Sequence, residues 1–266
     1  MKNDDAIAPI IAVMLILVVV VTLLSVYNAT YLPGLKQSAE IQHLHEVEEG
    51  VLKFGSALEE AASLKRNISL SQQIPLGGGD ILLNSLKSGG SLHVQQESEP
   101  YLTIEIDGQP PFYLQMVNFS YWTVNNFWVD QGYTWQYGYV NVSRRLGSGG
   151  GTPLQYATMA KVREKNLNVS SLGNTLIDVE KTQEYNSEYT VKVVNFIAGE
   201  DFFSSGNGIG RLELKAATNE SVFQNNLNVS FIVNKKTDFY NCLEFRDGQH
   251  YDNVTLIMTN ITVSAY

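Results

Sequence analysis

Few side chains in this sequence stand where covalent or metal chemistry needs them. His43 and His45 are two of only four histidines, and on a helix a spacing of two turns them to different faces. They therefore read as a solvated pair rather than metal ligands. Cys242 is the single cysteine, so an intrachain disulfide is excluded, and the residue reads as a small buried hydrophobe rather than a nucleophile. Gly206-Asn207-Gly208-Ile209-Gly210 spells like a dinucleotide loop, yet β-like sequence surrounds it and no crossover helix follows; it is expected to be a hairpin turn. Leu146-Gly147-Ser148-Gly149-Gly150 is a glycine-rich linker, not the strand-to-helix turn that exposes a serine nucleophile. No phosphate loop is spelled anywhere. The expectation is a protein that is not an enzyme and that calls for no cofactor and no metal.

Residues suited to modification and recognition are more plentiful. Asn-x-Ser/Thr occurs at Asn28, Asn67, Asn118, Asn141, Asn168, Asn219, Asn228, Asn253 and Asn260. With 22 Asn and 36 Ser plus Thr in 266 residues, chance supplies about three such sites, so the excess points to a glycosylated exterior domain. Between Phe112 and Tyr139 aromatics alternate with Asn and Gln, and all three tryptophans, Trp122, Trp128 and Trp135, fall there. Flat rings with polar rims suit a surface-glycan site. The same alternation packs a sheet core. The net charge of −9 disfavours nucleic acid and anionic membrane surfaces as partners.

The elements that must position these residues begin with an apolar run. From Ala6 to Tyr27 no side chain is charged, and a helix of that length covers roughly 33 Å, enough to cross a bilayer. The run is too long for a secretory signal and has one base before it, so it reads as a retained segment. Asp4 or Asp5 suits the helix N-terminus, and Pro9 is tolerated only near a start, which places that start near residue 6. Asn28 to Gly34, with Pro33, predicts a bend. Leu44, Val47, Val51, Phe54, Leu58 and Ala61 then follow the 3-4 spacing of an amphipathic helix, with Glu40, Glu46, Glu48 and Glu49 placed off the stripe. Gly50 and Gly55 weaken that helix or admit a close neighbour. From about residue 74 short alternating runs such as 101–106, 189–194, 211–215 and 253–263 read as strands, with turns at Asp107-Gly108 and Asp247-Gly248.

Asp4-Asp5-Ala6-Ile7-Ala8-Pro9-Ile10-Ile11-Ala12-Val13-Met14-Leu15 resembles the N-terminus of archaeal type IV pilin-like surface proteins, over about the first 25 residues. Pro33-Gly34-Leu35-Lys36 and Glu40-x-x-His43-x-x-Glu46-Val47 are similar, more loosely, to the region after the anchor in such proteins. Ala8 and Ala12 stand where the family commonly has Ser and Gly. The resemblance implies removal of a short leader, here Met1-Lys2-Asn3, and a filament whose core is built from the apolar helices of many copies.

These readings give an α+β organisation: residues 1–27 as leader and membrane or filament-core helix, 28–73 as amphipathic stalk, and 74–266 as an extracellular antiparallel β-sandwich. The expected function is that of a structural subunit in a pilus-like surface filament, partnered by its own copies and the membrane. Asp4, Asp5 and Pro9 are the candidate polymerisation and register residues, because an acid entering an apolar bundle needs a cation beside it. A singly membrane-anchored adhesin that binds surface glycans is the alternative.

Overall fold

The computed structural model describes residues 4–78, 88–124, 130–145, 171–182, 188–233 and 250–266. Helix α1 (Asp4–Val26) passes through a π-helical turn (Tyr27–Tyr31) into α2 (Leu32–Leu64), so one helix runs unbroken. It is helical from Asp4, the first described residue, and Pro9 lies inside the helix. Helical hydrogen bonding continues through residues 28–34, where the sequence predicts an interruption. Proline at position 33 cannot donate to a carbonyl one turn back, and the helix meets this by widening: the Leu32 N–H reaches back to the Tyr27 carbonyl, a five-residue step. Side chains take up neighbouring carbonyls on the way, with Thr22 Oγ1 donating to Val18, Asn28 Nδ2 to Leu24 and Thr30 Oγ1 to Val26.

Among the described residues eleven strands follow: β1 (Ile68–Pro75), β2 (Gly89–Gln96), β3 (Leu102–Ile106), β4 (Phe112–Leu114), β5 (Val117–Val124), β6 (Asp130–Gln136), β7 (Tyr139–Arg145), β8 (Ile177–Thr182), β9 (Glu188–Gly206), β10 (Ile209–Val233) and β11 (His250–Ala265). They form one hydrogen-bonded path, β4-β3-β10-β11-β9-β2-β5-β6-β7, with β1 added to β10 and β8 to β9. The fold is thus an apolar N-terminal helix followed by a strand-rich sheet domain, an α+β arrangement. It departs from the expected antiparallel sandwich in two ways. β11 runs parallel to β9, from Asn253 opposite Glu188 to Val263 opposite Ala198, and the layer facing the sheet is the helix. The connection at Asn207-Gly208 is a corner rather than a hairpin, since β9 and β10 separate and β11 lies between them. Asp107-Gly108 is a turn as expected, with Gly108 at φ +75.

The sheet curves around α2. The helix touches β1, β10 and β11 on one side and β6 and β7 on the other. Those strands lie several positions apart in the sheet at about 4.8 Å each, wider than one helix, so only a wrapped sheet reaches both sides. All six stripe residues, Leu44 to Ala61, are buried in this contact. Phe54 meets Phe119 edge to face at 5.2 Å, and Phe119 stacks on Trp135 at 5.4 Å. Gly50 and Gly55 are the points of closest approach: a β-carbon on them would lie 2.6 Å from Ile74 Cδ1 and 2.8 Å from Trp135 Cδ1 respectively. The strand-rich unit accordingly starts at Ile68, before the expected boundary at 74, and shares its core with the helix.

On the edge of β9 opposite β11, between its pairings with β8 and with β2, a glutamine side chain takes over from the ladder. Gln96 Nε2 donates to the Met116 and Phe196 carbonyls at 2.9 and 3.0 Å, and its Oε1 accepts from the Ala198 N–H at 2.7 Å. Main-chain groups that strand pairing does not reach are thereby satisfied.

Candidate functional site

The largest feature that the fold leaves uncovered is the first half of the helix. From Pro9 to Val26 every side chain is exposed, on all faces, and the segment is apolar and long enough to cross a membrane. A helix that is hydrophobic all round is stable only when something apolar surrounds it. The segment ends at Tyr27 and Tyr31, whose rings lie 5.6 Å apart. Tyrosine at the end of an apolar span suits a bilayer boundary, because the ring is apolar and the hydroxyl wet. Asp4 and Asp5 fall in the first turn of α1, where a carboxylate meets unpaired N–H groups and the positive end of the helix dipole. Their side chains lie outside the described residues.

The sequons separate by exposure. Asn28, Asn67 and Asn219 are exposed, although Asn28 Nδ2 is bonded to a helix carbonyl and Asn67 Oδ1 accepts from the Thr218 N–H. Asn118 and Asn141 are buried, and Asn118 Nδ2 donates to Glu97 Oε1. Neither offers the open amide nitrogen that a glycan needs. Asn228, Asn253 and Asn260 are half-buried in strands, with Asn260 Oδ1 accepting from Asn195 Nδ2. Asn168 lies outside the described residues.

The aromatic platform is mostly core. Trp135 is 1 % exposed, and Tyr121 and Tyr133 are as deeply buried. Each phenol is used for packing the sheet onto what it covers: Tyr121 donates to the Leu76 carbonyl and Tyr133 to the Leu44 carbonyl of α2, both at 3.0 Å. Burial raises the pKa of both phenols, that of Tyr133 to about 12. Trp135 is thus excluded as a recognition residue; Trp122 is half-buried over Gly132, and Trp128 lies outside the described residues. An open cleft of about 490 Å³ does exist, lined by Ser88, Gly90, Ser91, Val124, Phe203 and Asn207 among others, but the sequence reading placed nothing there.

The two histidines part as their spacing requires, but only His45 is solvated; His43 is 4 % exposed. Glu40, expected off the apolar stripe, is wholly buried as well. Positions 40, 43 and 44 extend the stripe of Leu44, Val47 and Val51 by the same 3-4 step, and that periodicity is the signal that would have found them. Among the described residues no three His, Cys, Asp or Glu side chains gather as metal ligands. Cys242 lies outside the described residues, as do the Leu146-Gly147-Ser148 linker and the Asp247-Gly248 turn. No family model, no curated protein and no solved structure matches this chain.

Proposed function

We propose that this protein is a structural subunit of a pilus-like surface filament, with residues 9–26 as the polymerising core and the sheet domain displayed outside the membrane. The supporting observation is the uncovered apolar stem, which continues as helix into the spine of its own domain. A continuous helix of this kind lets copies stack stem on stem while the wrapped sheets stay at the periphery. Asp4 and Asp5 set axial register by pairing with a cation of a neighbouring copy, since an acid inside an apolar bundle costs several kcal/mol, by order of magnitude, when unpaired. Glycans belong on the exposed Asn28, Asn67 and Asn219, and the net charge of −9 keeps the outer surface solvated.

Replacing Asp4 and Asp5 together by Ala tests the reading. Insertion into membranes should persist, because charge is removed from an apolar segment, while filaments in the sheared surface fraction should disappear under the electron microscope. Normal filaments from the double variant reject the register role. A membrane-bound protein that forms no filaments even unaltered supports the second reading, a single anchor carrying an outward domain, which Tyr27 and Tyr31 at the end of the span favour.

A further inference from the structure

Glu40 and His43 lie one turn apart on α2, at the level where the sheet domain first closes around the helix. Both are sealed from solvent, at 0 % and 4 % exposure. The His43 Nε2 is 2.9 Å from the Pro75 carbonyl. A carbonyl only accepts, so Nε2 carries the hydrogen and donates it. That fixes the other ring nitrogen: in neutral His43, Nδ1 is a bare lone pair, and it points toward Glu40 Oε1 at 3.8 Å. This is too far for a hydrogen bond. Nδ1 and both carboxylate oxygens have no hydrogen-bond partner. With no proton between them, an acceptor faces two acceptors in the interior, an arrangement that buried polar groups do not sustain.

We infer that Glu40 and His43 hold one shared proton, and that this proton latches the sheet domain onto the helical stem. With it, His43 donates from both nitrogens, to Glu40 on its own helix and to the Pro75 carbonyl at the end of β1, so a single ring ties helix to sheet. A small side-chain rotation closes the gap to the length of a charge-assisted bond. Among the described residues the groups around the ring are few. Glu40 and Glu46 face it from its own helix. Tyr121 comes from β5 with ring centroids 6.2 Å apart, and its hydroxyl is committed to the Leu76 carbonyl. Gly78 packs against the ring carbons without a charge. Burial alone lowers the His43 pKa, but the nearby Glu40 carboxylate, the Pro75 hydrogen bond and the Glu46 carboxylate outweigh burial and raise it above 6.5.

The sign follows. A group whose folded pKa lies above its unfolded value contributes stability that is full below pH 6.5 and is lost as pH rises through the folded value. The test uses the full-length protein in detergent, unfolded by urea across pH 5.5 to 9. Going upward from pH 6.5 the folding equilibrium constant should fall by up to tenfold per pH unit and then level off. In Glu40→Gln that decline should vanish, because the acceptor that retains the proton is gone. An unaltered decline in Glu40→Gln, or none in the parent, overturns the inference. NMR of histidine-labelled parent protein, with His43 assigned by the signal lost in His43→Gln, gives a reading independent of whether Glu40→Gln folds: His43 should titrate above pH 6.5, and titration below it overturns the latch. A chelator that destabilises the parent protein would replace the proton with a metal ion and overturn it too.

Discussion

Alanine at Gly55 and alanine at Gly50 are the same substitution on the same buried face of the same helix, yet the structure predicts different outcomes. In each case Gly→Ala in a helix interior gains about 1 kcal/mol of propensity. At Gly50 the new methyl meets Ile74 Cδ1 at 2.6 Å, the free end of a side chain that turns aside at a cost of about 0.5–1.5 kcal/mol. The sum is close to zero. At Gly55 it meets the indole edge of Trp135 at 2.8 and 2.9 Å. That ring is rigid, fully buried, and stacked on Phe119 with planes 14° apart, so it moves only with its neighbours. Overpacking of this kind costs about 1–3 kcal/mol, which leaves Gly55→Ala less stable than the parent by roughly 1 kcal/mol and less stable than Gly50→Ala by a similar or larger margin. Urea unfolding of the full-length variants in mild detergent, read by tryptophan fluorescence and circular dichroism, measures the difference. A Gly55→Ala protein as stable as Gly50→Ala would refute the picture of the helix pressed directly against the Trp135 ring.

Gln96→Leu should cost roughly 2–4 kcal/mol, since it removes the side-chain partner of the Ala198 N–H and the Phe196 carbonyl while keeping the side-chain volume; the urea midpoint should fall sharply. Mass spectrometry of protein from its native source should find glycan on Asn28, Asn67 or Asn219 and none on the buried Asn118 and Asn141; occupancy confined to the buried pair would contradict the strand placement of both.

What the sequence disclosed was whatever is written in one dimension. The apolar run needs only its length and lack of charge, and the Leu44 to Ala61 stripe needs only its period. Both could be read directly because a helix's neighbours are close in sequence. Glu40 and His43 obey the same period but carry polar side chains, so periodicity in hydrophobicity passed over them. Pro33 signals a break because it removes a donor, yet a π-helical turn removes the need for that donor, and nothing local distinguishes the two responses. Strand partners are set by packing between distant segments, so alternation identified 189–194 and 253–263 as strands without showing that they run parallel. The aromatic segment left two readings open for a related reason. Tyr133 and Trp135 alternate as a ligand platform would, and only the helix lying against them turns that face into core.

The position of β11 has a consequence for how the molecule is made. The strand is synthesised after both of the strands it pairs with, and it sits between β9 and β10, bonded to Glu188–Phe202 on one side and to Leu212–Asn228 on the other. Until residue 250 and beyond have emerged, the two flanking strands have no partner in the middle of the sheet, and a pairing that bridges distant segments is slow to form. A chain that emerges N-terminus first therefore stays an open two-arm clasp until β11 threads in between β9 and β10. Over that interval the exposed arms are vulnerable to proteases and to strands from neighbouring copies. A nascent chain stalled before residue 250 should remain protease-sensitive, and the release of β11, more than collapse, sets when the domain closes.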